Sequence, residues 1–148
     1  MMTYRSAHEW RERFGRQPAT DQFSGDGPFA PEFAVQSYLE VHARRFVRAF
    51  DPNCYLYLSR AMDRFDLAAH AGSNEVALAR SRVERALVIG VESDMLFAID
   101  EQRRLAESFE KAGVATTFAP LNCIEGHDSF LIDIARFGAE TGAFLNRP

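Results

Sequence analysis

The run Ala86-Leu87-Val88-Ile89-Gly90-Val91 constrains this chain more than any other feature. It is continuous rather than alternating, so it fits a strand buried on both faces, the habit of parallel sheets covered by crossover helices. The flanking pattern agrees. Asp100 to Ala112 is predicted as an amphipathic helix, with Leu105, Phe109 and Ala112 on its apolar side and Gly113 placed to end it. Val114 to Pro120, containing Thr116, Thr117 and Phe118, reads as a second strand. Phe130, Ile134, Phe137, Thr141 and Phe144 mark a final helix. Strand, helix, strand, helix implies a right-handed parallel crossover. Two strands do not make a covered sheet, so both are expected to be edge members of a larger one whose other strands precede Met1.

Upstream of Gly72 the style is helical. Ser6 can cap a short helix through Phe14, with Glu9 three residues on as in a capping box, and Gly15 can end it. Arg16 to Pro31, rich in Gly, Pro, Asp and Ser, reads as a loop, and Pro31 suits the first turn of a new helix. In that helix Val35, Tyr38 or Leu39, His42, Phe46 and Phe50 recur at helical spacing. Asp51-Pro52-Asn53 interrupts and can restart the pattern, after which Tyr55, Leu58, Met62 and Phe65 form the next apolar stripe. The sequence therefore divides at 1–72, helical, and 73–148, alternating strand and helix.

Composition excludes several classes. The 148 residues are 47% hydrophobic and 26% charged, enough for one domain with a real core and against extended disorder. The formal net charge of −4 comes with no basic tract, which argues against a nucleic-acid partner. Arg44, Arg45 and Arg48 read as the wet face of a helix. Cys54 and Cys123 form no C-x-x-C pair and read as two buried or half-buried thiols in a reducing compartment, with a disulfide as the alternative. No apolar run approaches the roughly 18 residues of a membrane helix, and the N-terminus does not resemble a signal peptide. The expected location is cytoplasmic.

In open α/β sheets, functional groups collect beyond the carboxyl ends of the strands. After the first strand comes Glu92-Ser93-Asp94-Met95-Leu96-Phe97; after the second, Glu125-Gly126-His127-Asp128-Ser129-Phe130. Parallel neighbours bring both loops to one rim, where Asp94 could fix the tautomer of His127 and stabilise its imidazolium. Separately, Asp94 could be a turn cap and His127 a loop histidine. Together and in this order they favour a catalytic pair. In α/β-hydrolases a serine comes first in chain order, yet no G-x-S-x-G is present. Ser24 lies in a loop with no strand before it, Ser73 lacks the motif, and neither Ser93 nor Ser129 sits on a strand-to-helix elbow.

Tyr4-Arg5-Ser6, Phe14-Gly15-Arg16, Ser37-Tyr38-Leu39, Arg45-Phe46, Phe50-Asp51, Tyr55-Leu56-Tyr57-Leu58, Ala61-Met62-Asp63 and Phe65-Asp66 resemble the helical lid of homoserine O-acetyltransferases. Ser93-Asp94-Met95-Leu96-Phe97 and Gly126-His127-Asp128-Ser129-Phe130-Leu131 resemble that family's triad acid and histidine loops. The likeness runs from about Tyr4 to the C-terminal helix. It implies the C-terminal part of an α/β-hydrolase fold, its last two parallel strands with helices, preceded by a helical lid. It also implies acetyl transfer from acetyl-CoA to the L-homoserine hydroxyl in methionine biosynthesis, through a serine acyl-enzyme. Asp94 would be the triad acid, His127 the general base, Asp128 the holder of the substrate ammonium and Tyr4 a substrate contact. For Asp128 the plainer reading is a first-turn carboxylate, and for Tyr4 a lid-packing aromatic. Tyr55, Tyr57 and Met62 read as core or dimer contacts, since lid helices pair subunits into a homodimer in this family.

No metal or bound cofactor is implied; acetyl-CoA is a co-substrate. Two departures stand out: Ala98 replaces a common proline after the acid loop, and Cys123-Ile124 replaces a common Ser-Pro pair. The nucleophile and oxyanion-hole amides lie outside this sequence, as does an arginine expected seven residues before Tyr4, so the chain alone is expected to be inactive. Two alternatives stay open: a non-catalytic remnant or dimerising module, and a fragment of a serine or homoserine O-succinyltransferase.

Overall fold

The computed structural model describes residues 2–19 and 27–147. Ser24 and part of the loop expected at 16–31 lie outside the described residues. The described helices and strands are α1 (Ala7–Arg13), α2 (Ala34–Ala49), α3 (Pro52–Asp63), α4 (Asn74–Arg80), β1 (Arg85–Val91), α5 (Ile99–Lys111), β2 (Ala115–Leu121), α6 (Ser129–Ile132) and α7 (Ile134–Leu145). They form two compact units. One comprises Met1–Trp10 with Asp66–Pro148, and the other Arg11–Phe65. Residues 2–10 thus pack with the strand-bearing unit.

In the strand-bearing unit β1 and β2 pair in parallel, with Arg85 opposite Ala115 and Val91 opposite Leu121. α5 is the crossover between them. Val88, Val91, Ala106, Val114 and Ala119 are buried there. Gly90 is where α5 seats: a Cβ at that position would lie 2.6 Å from Ile99 Cδ1 and 3.2 Å from Gln102 Cβ. Gly113, at φ 83°, ends α5. α5 turns inward at Ala106, whereas Leu105, expected on the apolar side, is exposed. α4 was not foreseen; Ser73 caps it, accepting from Val76 N at 3.2 Å. The single final helix expected from Phe130 to Phe144 is broken. Asp133, at φ −92° and ψ 58°, ends α6, and its side chain accepts from Arg136 N to start α7. A short polar side chain that bonds a nearby N–H competes with helix continuation.

In the other unit, α2 starts at Ala34, later than Pro31 suggested. Gln36 Oε1 accepts from the backbone N–H of Glu32 and of Phe33, both at 2.8 Å, and so fixes the start. Asp51 caps α3 through Asn53 N (2.7 Å) and Cys54 N, with Pro52 in the first turn. The stripe of Tyr55, Leu58, Met62 and Phe65 is exposed, as is Tyr57, so none of these residues is core. Both cysteines are free; Cys54 is exposed rather than half-buried, and Cys123 is buried. No helix among the described residues is long and apolar enough to cross a membrane.

Gly90→Ala forces a methyl against Ile99 and Gln102 and is expected to destabilise the fold by about 1–3 kcal/mol. Urea unfolding of the two proteins measures this; equal midpoints would contradict the close seating of α5 on β1.

Candidate active site

β1 and β2 end side by side, and Glu92 N still donates to Leu121 O at 3.0 Å. Beyond that bond each strand opens into a loop, and the parallel pairing places the two loops on one rim. There Asp94 Oδ2 lies 2.9 Å from His127 Nδ1. The Asp94 side chain is 9% exposed and that of His127 22%. The other carboxylate oxygen, Oδ1, accepts from Leu96 N (2.8 Å) and Phe97 N (2.9 Å). Asp94 is therefore both a turn cap and the partner of the histidine, one oxygen for each task. With Oδ2 as acceptor, Nδ1 carries the proton and Nε2 keeps a lone pair that can take one.

His127 sits in a short 3₁₀ turn, Gly126–Asp128. Around its ring stand Phe97 (4.9 Å between centroids, edge-on), Tyr4 (5.4 Å) and Phe130 (6.0 Å). Tyr4 thus meets the imidazole directly. The N-terminal segment is fastened to the histidine loop at several points. Ser6 Oγ donates to Ile124 O while accepting from Glu9 N at 3.0 Å, so the residue that caps α1 also docks it. Arg5 pairs with Glu9 on one side, and its Nη2 lies 3.7 Å from Asp128 Oδ2 on the other. Asp128 makes no side-chain bond as a cap of α6. Gly126 permits the approach. At φ 72°, a Cβ there would lie 2.8 Å from both Tyr4 O and Ser6 N.

The neighbouring hydroxyls are committed. Ser129 is fully buried and donates to Gly126 O at 2.6 Å, and Ser93 donates to Cys123 O at 2.6 Å. Burial pushes the Cys123 thiol above its ordinary range, outweighing the nearby Arg136 guanidinium, so Cys123 stays a thiol. Among the described residues no group of three or more His, Cys, Asp or Glu could hold a metal ion. Sequence reasoning brought Asp94 and His127 together but missed Arg5, Glu9 and Gly126. Gly126, immediately before the histidine, and Glu9, three residues after the cap Ser6, carried local signals, but neither pointed to this site.

No family model matches the chain. It is 51% identical over 147 residues to a serine O-succinyltransferase of Xylella fastidiosa (strain M12), covering 99% of this chain and 40% of that protein. It is equally similar to a serine O-succinyltransferase of Stenotrophomonas maltophilia (strain K279a), with the same coverage. The chain thus spans about 40% of the length of these relatives. Among solved structures, homoserine O-acetyltransferase from Bacillus anthracis superposes with a TM-score of 0.76 at 22% identity, over 99% of this chain and 38% of that one. The fold is therefore that of part of an α/β-hydrolase.

Gly126→Ala combines a strained backbone with a methyl driven into two backbone atoms. It is expected to cost roughly 2 kcal/mol or more. The amides of the histidine turn should lose protection in hydrogen exchange. Unchanged protection would show that the N-terminal segment does not hold that turn.

Proposed function

From the premise that this chain fits the C-terminal portion of the homoserine and serine O-acyltransferases, an α/β-hydrolase family, we propose that it carries the acid–base half of such an enzyme. Asp94 serves as triad acid and His127 as general base, with the nucleophilic serine and oxyanion hole supplied by sequence outside these 148 residues. The carrying observation is the 2.9 Å contact between Asp94 Oδ2 and His127 Nδ1.

The chemistry follows from that contact. His127 Nε2 takes the proton of the serine hydroxyl as its oxygen attacks the thioester carbonyl of an acyl-CoA. The carbon–sulfur bond breaks, and the departing CoA sulfur takes the proton. The hydroxyl of an amino-acid acceptor then attacks the acyl-serine and loses its proton to Nε2, which returns it to the serine oxygen. In both halves Asp94 stabilises the imidazolium. Asp128 follows His127 directly in the chain, with its carboxylate 3.7 Å from Arg5 Nη2, and takes the role of holding the acceptor's ammonium, with Tyr4 against the imidazole as a substrate contact. The names of the relatives favour succinyl-CoA and L-serine over acetyl-CoA and L-homoserine. A second role is favoured by the exposed Tyr55, Leu58 and Met62 of α3, which share one helix face apolar enough to pair two subunits.

The chain alone is expected to consume no acyl-CoA with either acceptor. Mixed with the complementary N-terminal segment of the Xylella fastidiosa relative, it should turn over. In that assembly His127→Ala should abolish the reaction, and Asp94→Asn should lower kcat on the order of 10⁴-fold. Asp128→Asn should raise the acceptor KM roughly tenfold or more. Turnover by the chain alone at the rate of complete enzymes, or an assembly indifferent to His127→Ala, would sink the reading. Dimerisation, followed by sedimentation, should survive His127→Ala and weaken when Leu58 and Met62 become Ser.

A further inference from the structure

We infer that Ser93 is a positioning residue for the Asp94–His127 pair, its hydroxyl tying the acid loop to the histidine loop. The inference rests on reading that pair as the acid–base couple.

The backbone ladder between β1 and β2 gives its last bond at Glu92 N. From there the two loops must be held by other means. Ser93 Oγ donates to Cys123 O at 2.6 Å and accepts from Gly126 N at 3.1 Å. One hydroxyl thus uses its donor and an acceptor lone pair at once, both across to the histidine loop. Its two partners bracket the turn that leads into His127. Ser93 directly precedes Asp94, and Gly126 directly precedes His127. The hydroxyl bridge and the carboxylate–imidazole bond are therefore parallel cross-links one residue apart. Ser129 secures the same turn from the other side by donating to Gly126 O, so both backbone polar groups of Gly126 are engaged by serine hydroxyls. The region is largely desolvated: Cys123 is 3% exposed and Ser129 0%. Removing the Ser93 hydroxyl leaves a carbonyl and an N–H without their partner, and water is their natural replacement. Loops drawn apart by an inserted water no longer hold Oδ2 against Nδ1. Catalytic geometry is unforgiving on this scale, with about 1 Å of misplacement costing on the order of 10²-fold.

The test uses Ser93→Ala, Ser93→Thr and an Asp94→Asn control. Two readouts are taken: solvent exchange of the His127 Nδ1 proton by NMR, and steady-state kinetics of the enzyme assembled with the nucleophile-bearing segment. Ser93→Ala should expose the Nδ1 proton to fast exchange and lower kcat between roughly 10-fold and 100-fold with KM unchanged. Ser93→Thr, which keeps the hydroxyl, should restore both. Native exchange and native kcat in Ser93→Ala overturn the inference. If Ser93→Ala does not fold, Ser93→Thr decides: native exchange supports the bridge, and fast exchange in a folded Thr variant overturns it. Asp94→Asn separates the two levels. Should it leave the Nδ1 proton unchanged, the acid–base couple itself fails. Should it act while Ser93→Ala does not, only the role of Ser93 fails.

Discussion

The parallel register of β1 and β2 is the constraint from which the rest of the site follows. Because the strands run the same way and end opposite each other at Val91 and Leu121, the loops that leave them start about one strand spacing apart, roughly 4.8 Å. A carboxylate three residues past one end can then reach an imidazole six residues past the other. An antiparallel pair would have sent these loops to opposite ends of the strands. The close seating of α5 at Gly90 serves the same end, since the crossover helix keeps the two strands in register.

Within that frame the site is assembled by sharing polar atoms. Asp94 gives one oxygen to its own loop and the other to His127. Ser93 gives its proton to one carbonyl and a lone pair to one N–H. Ser6 both caps α1 and docks it on Ile124. Double use of this kind limits the number of buried polar groups that must be satisfied, each of which is costly when left unpaired. It also links local structure to the geometry of the imidazole, because a change at a cap is felt at the ring.

A relative 51% identical to this chain over 99% of its length is more than twice as long, and the two-stranded sheet reads naturally beside that fact. Phe97 in the loop after β1, Phe130 in α6, and Ile134 and Leu145 in α7 are large apolar side chains left exposed. A histidine whose Nδ1 is held by a carboxylate needs a proton-donating nucleophile at Nε2 before it can do acyl transfer. The only hydroxyls beside the pair in sequence, Ser93 and Ser129, are bonded to backbone carbonyls.

What the sequence by itself determined is local or periodic. The apolar run at 86–91 was legible as a strand because its pattern leaves no polar face, although only Val88, Gly90 and Val91 are buried and Ala86, Leu87 and Ile89 are half-buried. The starts of α1 and α3 were legible because Ser6, Asp51 and Pro52 act on the next few residues. Asp94 and His127 could be paired because strand order dictates which loops share a rim. The break at Asp133 was not legible, since the apolar spacing from Phe130 to Phe144 runs on unbroken while one side-chain bond to Arg136 N stops the helix. Nor was the exposure of the α3 stripe, because periodicity shows which residues share a face and not whether anything covers it. The tertiary structure alone decided that Tyr4, Arg5 and Ser6 close around the histidine turn. Ser6 and Ile124 are 118 residues apart, and no spacing rule acts over that distance. The close approach of backbone to backbone at Gly126, possible because that residue has no side chain, lets the N-terminal segment reach the histidine loop.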